Sequence, residues 1–271
     1  MTTSTRRIDL MAVHQIEEAL TTTDIAVVPV GAIEPHGRHA PMGSDTFIAL
    51  EIAERLAEAC GGLVFPPVPF GNINLGYDFR YMPGTISLDS KLLIDLHRNI
   101  GTELARSGFR RVVFVNGHAP NTSILNIAAF EIRDQASIEV GILEWWTSAP
   151  AVIEDIKGFN FASHGDEIET SLIMATGGRD YVDLSRADIN SRTLADITPE
   201  ELSLYKAKVP FTRTLDKRWI GRSGNMGDPT RATSAHGDRI IQRTIEVGLE
   251  LLTVLAQQLE HRRLRQIEKK D

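Results

Sequence analysis

Apolar residues run along this chain in two rhythms. Short, nearly continuous Val/Ile/Leu-rich runs occur at Ile25–Gly31, Leu63–Phe65, Arg111–Asn116 and Ile138–Leu143. A strand with one wet face alternates apolar and polar residues, whereas one covered on both faces is apolar throughout. The four runs are therefore read as buried strands. Between them, apolar positions recur at helical spacing over Asp45–Ala59, Ser90–Ser107 and Thr122–Gln135, and again over a long C-terminal stretch, Asp238–Gln266. Alternating strands and helices predict βαβ units. The fold class is thus α/β, a mostly parallel sheet flanked by helices on both faces. Asp89 or Ser90 is placed to cap the second helix and Asn121 the third. The last turns of the C-terminal helix are basic, as the helix dipole prefers.

Two stretches fit neither rhythm. Phe65–Ser87 is rich in Pro and Gly, and long ordered loops in compact domains often carry function. Asp188–Thr233 reads as an excursion over the surface. No repeat, low-complexity tract or linker divides the chain, so residues 1–271 are read as a single domain. The 42% hydrophobic content supports a sizeable core. A net charge of −7 offers no basic field for nucleic acid or acidic lipid. No apolar stretch is long enough to span a bilayer, and MTTSTRRIDLM lacks the apolar segment of a signal peptide. One cysteine, Cys60, excludes an internal disulfide and suits a reducing cytoplasm. It reads as a small buried residue at a helix end.

Candidate chemistry concentrates in three places. The first is the loop after the first strand, VVPVGAIEPHGRHAPMGSD (27–45). Glu34 and His36 leave the same side of an extended segment, roughly 6–7 Å apart, which suits one metal ion or a close pair. Asp45 opens the next helix with an oxygen able to bridge two ions. Arg38 is no ligand, and His39 is expected to face away; each could meet an anionic substrate or hydrogen-bond the loop. The second place is RRVVFVNGHAPN (110–121), where a strand ends in Asn116-Gly117-His118. Ligands of open α/β sheets bind outside the carboxyl ends of the strands, so both loops should share one rim. The third is SHGDEIETSLIMA (163–175). His164 and Glu167 share a face if the helix already includes His164, whereas Glu169 would point differently and support the site from behind. Acids at the start of a buried helix are costly unless paired or metal-bound, although Asp166 also suits an ordinary cap. His14, His97 and His261 read as surface groups, and His236 is left open.

Mixed His/Asp/Glu sets without Cys favour Zn²⁺, Mn²⁺ or Fe²⁺. Two such divalent ions sharing a carboxylate would act as Lewis acid and lower the pKa of bound water towards ~7. His164 suits a proton shuttle, since an unperturbed imidazole titrates near ~6.5. That is hydrolysis chemistry. No G-x-G-x-x-G follows the first strand, which argues against dinucleotide binding.

Taken together these stretches resemble the creatininase (creatinine amidohydrolase) family. PVGAIEPHGRHAPMGSD (29–45) is similar to its signature loop, and MPGTISL (82–88), VNGHAPN (115–121), HGDEIETSLIMA (164–175) and GDPTRAT (227–233) match its other blocks in order. The resemblance implies a single-domain α/β fold and a two-metal centre with Glu34, His36, Asp45 and His118 as ligands, Asp45 bridging. It implies His164 as the catalytic histidine, and a homo-oligomer, commonly a hexamer. Activity would be attack of metal-bound hydroxide on the carbonyl of a small molecule: a cyclic amide, a formamide or a related substrate. Hydrolytic C–C ring opening of a cyclic polyol ketone is the alternative, and a ligand-binding homologue without activity is the third reading.

Some positions depart from the family pattern. Creatininases proper carry a ligand glutamate two residues after the NGH histidine, where this chain has Pro120. Glu167 is the expected replacement, with Glu169 as catalytic support beside His164. Phe161, Ala162 and Ser163 stand where creatininases place aromatic substrate contacts, which disfavours creatinine. Phe79 replaces a histidine common among relatives. Arg38, Arg80 and Asn116 are the candidate substrate contacts.

Overall fold

The computed structural model describes residues 5–73, 82–157, 164–189 and 224–268. Strands β1 (Ile25–Val30), β2 (Leu63–Val64), β3 (Arg111–Asn116) and β4 (Glu139–Glu144) form one parallel sheet in the order β2-β1-β3-β4. Helix α1 (Val13–Ala19) precedes the sheet, and α2 (Ser44–Cys60), α3 (Ser90–Arg106) and α4 (Asn121–Ala136) connect its strands. Then follow α5 (Trp145–Ser148), α6 (Pro150–Lys157), α7 (Glu167–Met174) and α8 (Ser234–Glu268). The strand and helix bounds fall within a residue or so of those the apolar rhythm predicts, except that α8 starts at Ser234 rather than Asp238. Among the described residues, no helix is long and apolar enough to cross a membrane.

Alternate strand residues point to opposite faces. Val27, Val113, Val115 and Leu143 pack with Ile48, Ile52 and Leu56 of α2, Leu172 of α7, and Ile240 and Leu252 of α8. Ala26, Val28, Val30, Val112 and Phe114 pack on the other face with Leu104 of α3 and with Leu125 and Ile132 of α4. Both faces are covered, which is why the strands read as continuous apolar runs. Gly237 allows α8 to cross α7 closely: a Cβ there would stand 2.1 Å from the Ser171 carbonyl oxygen.

Two expectations about polar residues are corrected. His97 is fully buried, not a surface group. It shares the inner face of α3 with Leu93, donates Nδ1–H to the Leu93 carbonyl (2.6 Å) and meets Phe114 edge-on. Asn121 is the first residue of α4 rather than its cap. Its buried side chain donates to the Gly31 carbonyl (3.1 Å) and accepts from Asn72 N–H (3.3 Å), tying the loop after β1 to the Pro/Gly-rich stretch. Asp89 does cap α3, accepting from Lys91 N–H (2.8 Å) and Leu92 N–H (3.4 Å). Asp89→Ala is expected to cost about 1 kcal/mol, read as a lower urea midpoint at unchanged slope; an unmoved midpoint would show that the cap is idle.

The strand order decides where a site can form. From β1 the chain passes through α2 to β2 on one side, then returns to β3 on the other side of β1. Helices on the two sides leave opposite faces, so a crevice opens beyond the carboxyl ends of β1 and β3. The register ends Val30, Asn116 and Glu144 level with one another. The loops bearing Glu34 and His118 both begin there.

Candidate metal centre

Glu34, His36, Asp45, His118, His164 and Glu169 converge at this crevice, all buried. Glu34 and His36 come from the loop after β1, Asp45 from the first turn of α2, His118 from the loop after β3, and Glu169 from the first turn of α7. Gly117 lets the loop after β3 reach Asp45, because a Cβ there would lie 2.1 Å from the Asp45 carbonyl oxygen.

Each histidine is oriented in the same way. His36 donates Nδ1–H to the Glu34 carbonyl (3.1 Å), His118 donates Nε2–H to the Asn72 carbonyl (3.1 Å), and His164 donates Nε2–H to the Pro35 carbonyl (2.6 Å). The other ring nitrogen of each then faces carboxylates. His36 Nε2 lies 3.0 Å from Asp45 and 3.5 Å from Glu169. His118 Nδ1 lies 3.0 Å from Glu34 and 3.2 Å from the second oxygen of Asp45. His164 Nδ1 lies 3.7 Å from both Glu34 and Glu169. Backbone anchoring of one imidazole nitrogen is how proteins present the other to a metal.

These residues fit a divalent cation. Both oxygens of Glu34, Nε2 of His36 and Oδ2 of Asp45 are buried without a hydrogen-bond partner among the described residues. Buried lone pairs turned toward one another are costly unless a proton or a cation stands between them. Of three donor groups, two share Asp45, namely Glu34 with Asp45 and His118, and His36 with Asp45 and Glu169; the third joins Glu34, His36 and His164. In each, one atom per residue lies within 4.8 Å of the others. The donor set, nitrogen and oxygen without sulfur, suits Zn²⁺, Mn²⁺ or Fe²⁺.

Protonation tells the same story. Burial opposes charge on His36, yet Asp45, with Glu169 and Glu34, raises its pKa to about 10. Burial likewise opposes charge on His118, but Glu34 and Asp45 hold its pKa well above the ordinary value. Burial would push the Asp45 carboxyl up, and His36 and His118 instead hold it below the usual carboxylate range. Burial lifts Glu169 to about 8, against the pull of His36. His164 goes down, through burial and then the charge on His36. Without an ion, protons supply the positive charge the carboxylates demand. A metal must displace them, so binding is expected to release roughly one proton or more per ion and to strengthen as pH rises from 6 to 9. Titrating Zn²⁺ into weakly buffered protein with an indicator dye checks this, and uptake without proton release would contradict it.

The remaining sequence-derived candidates fall elsewhere. Glu167 does not share a face with His164, because α7 begins only at Glu167, with Asp166 as its cap. Its carboxylate turns to Arg231 of the GDPTRAT block (3.4 Å), and Glu169, two residues on and about 200° round the helix, enters the cluster instead. Asn116 is fully buried: its amide donates to Glu144 (3.0 Å) and its oxygen accepts from His118 N–H (3.1 Å). It shapes the loop that carries His118 rather than facing a substrate. Arg38 is exposed beside Asp188 (3.6 Å), outside the cluster. Arg80, Phe79 and Phe161–Ser163 lie outside the described residues, as does most of the excursion predicted over Asp188–Thr233. His39 is buried and shares a hydrogen bond with Thr170 (2.9 Å), pinning α7 against the first loop. Neither Asn72 nor Pro35, whose carbonyls orient two of the imidazoles, carried any side-chain signal in the sequence.

The chain matches the creatininase family profile, described as creatinine amidohydrolase, over residues 9–252. It is 35% identical over 176 residues to a creatinine amidohydrolase of Pseudomonas putida, covering 60% of this chain and 67% of that one. A mycofactocin precursor peptide peptidase of Mycolicibacterium smegmatis is 30% identical over 227 residues, 82% of this chain and 81% of the relative. A 3-dehydro-scyllo-inosose hydrolase of Thermotoga maritima is 31% identical over 170 residues, 61% and 54% of the two chains. A solved creatinine amidohydrolase superposes with a TM-score of 0.75 at 26% identity, over 90% of this chain and 95% of that one. A creatininase structure described as the manganese form gives 0.73 at 26% identity, covering 89% and 95%.

Proposed function

The chain belongs to the creatininase family, and on that premise we propose that it is a hydrolase dependent on two divalent ions, cleaving the C–N bond of a small cyclic amide, a formamide or a related substrate other than creatinine. The observation that carries this reading is the set of three imidazoles, each held by a backbone carbonyl and each turned toward buried carboxylates. Bound ions would supply Lewis-acid polarisation of the carbonyl and a lowered pKa for water.

The chain's own residues divide the work. Glu34, Asp45 and His118 would hold one ion, and His36, Asp45 and Glu169 the other, with Asp45 shared. Glu169 then does from α7 what a glutamate at position 120 does in creatininases proper. Pro120 offers no carboxylate there, and what supports Glu169 in that role is its Oε2 lying 3.5 Å from His36 Nε2. His164 has its Nε2–H committed to Pro35, so Nδ1 is the atom that takes a proton and returns it to the leaving nitrogen. Arg38 and Arg80 remain our candidates for a polar substrate group.

A creatinine amidohydrolase and a peptide peptidase among the relatives both break C–N bonds, which supports the amide reading. The likeness to an inosose hydrolase favours a second reading, C–C ring opening of a cyclic polyol ketone at the same centre. By family resemblance the working form would be a homo-oligomer, a hexamer, and the single cysteine suits a reducing cytoplasm. The test begins with elemental analysis of protein purified without chelator, followed by a panel of cyclic amides, formamides, short peptides and polyol ketones. Release of an amine identifies amide hydrolysis, and an open-chain acid without released nitrogen identifies ring opening. Protein that holds no Zn, Mn or Fe and cannot be reconstituted would overturn the proposal.

A further inference from the structure

Between α6 and α7 lies an ion pair that the metal cluster does not use. Lys157, the last residue of α6, meets Asp166, the cap of α7, although only 8% and 1% of their side-chain surfaces are exposed. Burying an ammonium is costly unless it is paired, and such a pair is by itself weak evidence for stability. Its place says more. Asp166 Oδ1 accepts from the backbone N–H groups of Ile168 (2.9 Å) and Glu169 (3.2 Å), while Oδ2 faces Lys157. One carboxylate therefore fixes where α7 starts, and the lysine fixes the carboxylate.

What α7 delivers depends on that start. Glu169 sends Oε2 back to accept from Gly165 N–H (2.6 Å) and toward His36. Two residues before the cap, His164 lies with its ring 4.2 Å from that of His36. A slip of the helix start by one residue would swing the Glu169 side chain by about 100°.

The geometry points to Lys157 as a positioning residue: by clamping Asp166 it sets the first turn of α7, and through it the carboxylate of Glu169 and the ring of His164. The metal readout of this assignment rests on the proposed function. Lys157→Met keeps length and apolar packing without charge, and Asp166→Asn keeps the capping oxygen without charge. Both are expected to bind Zn²⁺ about 10- to 100-fold more weakly, measured by competition with a chelator. In metal-free protein, their Ile168 and Glu169 amides should exchange with solvent faster than in the wild type. Lys157→Arg should recover part of both effects. If Lys157→Met does not fold, Asp166→Asn carries the same comparison. Wild-type affinity in the variants, with only the melting temperature lowered, would overturn the assignment. A wild type that takes up no metal overturns the proposed function instead, and amide exchange then decides: faster upholds the positioning role, unchanged refutes it.

Discussion

Asp45→Ala is expected to strip both ions from the protein and to lower turnover by about 10³-fold or more. Asp45 turns one oxygen to His36 Nε2 (3.0 Å) and the other to His118 Nδ1 (3.2 Å), so it joins the group of Glu34 and His118 to that of His36 and Glu169. Under the proposed assignment, removing it would take a third of the protein donors from each ion at once. Changes to residues that merely orient ligands already cost about 10- to 100-fold in affinity, and losing a shared ligand should exceed that. The fold should survive, because Asp45 lies in the first turn of α2, whose anchorage comes from Ile48, Ile52 and Leu56 deeper in the core. Elemental analysis after gel filtration, beside a thermal melt, reads both halves of the claim. A folded variant that keeps two equivalents of metal would remove Asp45 from the centre.

His164→Ala should do the opposite: metal content near wild type, with kcat lower by about 10²- to 10⁴-fold. The ring is held by the Pro35 carbonyl, and Nδ1 stands 3.7 Å from Glu34 and Glu169, farther than His36 and His118 stand from their carboxylates. In the metal-free protein burial, and after it the charge on His36, push its pKa down; with ions bound, their charge would act on the ring in place of that of His36. Loss of one metal equivalent in this variant would instead make His164 a ligand, and its proton-transfer role would fall.

Much of this was legible in the chain. The loops after β1 and β3 were recognisable as one rim because continuous apolar runs imply a parallel sheet, and a parallel sheet gathers its strand ends. Glu34, His36, Asp45 and His118 could be placed on that rim, since each sits where a buried element has just ended or begun, and the resemblance made them expected ligands. His164 already stood out in a third stretch, and the resemblance to the family made it the expected catalytic histidine. Harder positions were those where two local rules compete. Asp166 could cap a helix or join a charge cluster, and only the observed start of α7 at Glu167 shows that it caps. That start turns Glu167 toward Arg231 and Glu169 into the site, reversing the assignment the sequence favoured.

By itself, then, the sequence determined the sheet, the helices that cover it and the loops in which ligands could lie, because these depend on apolar rhythm and chain-local geometry. The tertiary structure decided which polar side chains meet. His97 went under α3, Asn116 and Asn121 were spent on holding loops, and backbone carbonyls of Asn72 and Pro35 came to orient His118 and His164. Those partners lie 28 to 129 residues apart, apart from the local turn around His97. No periodicity records such pairings; they follow from how two faces of one sheet close around the ends of its central strands.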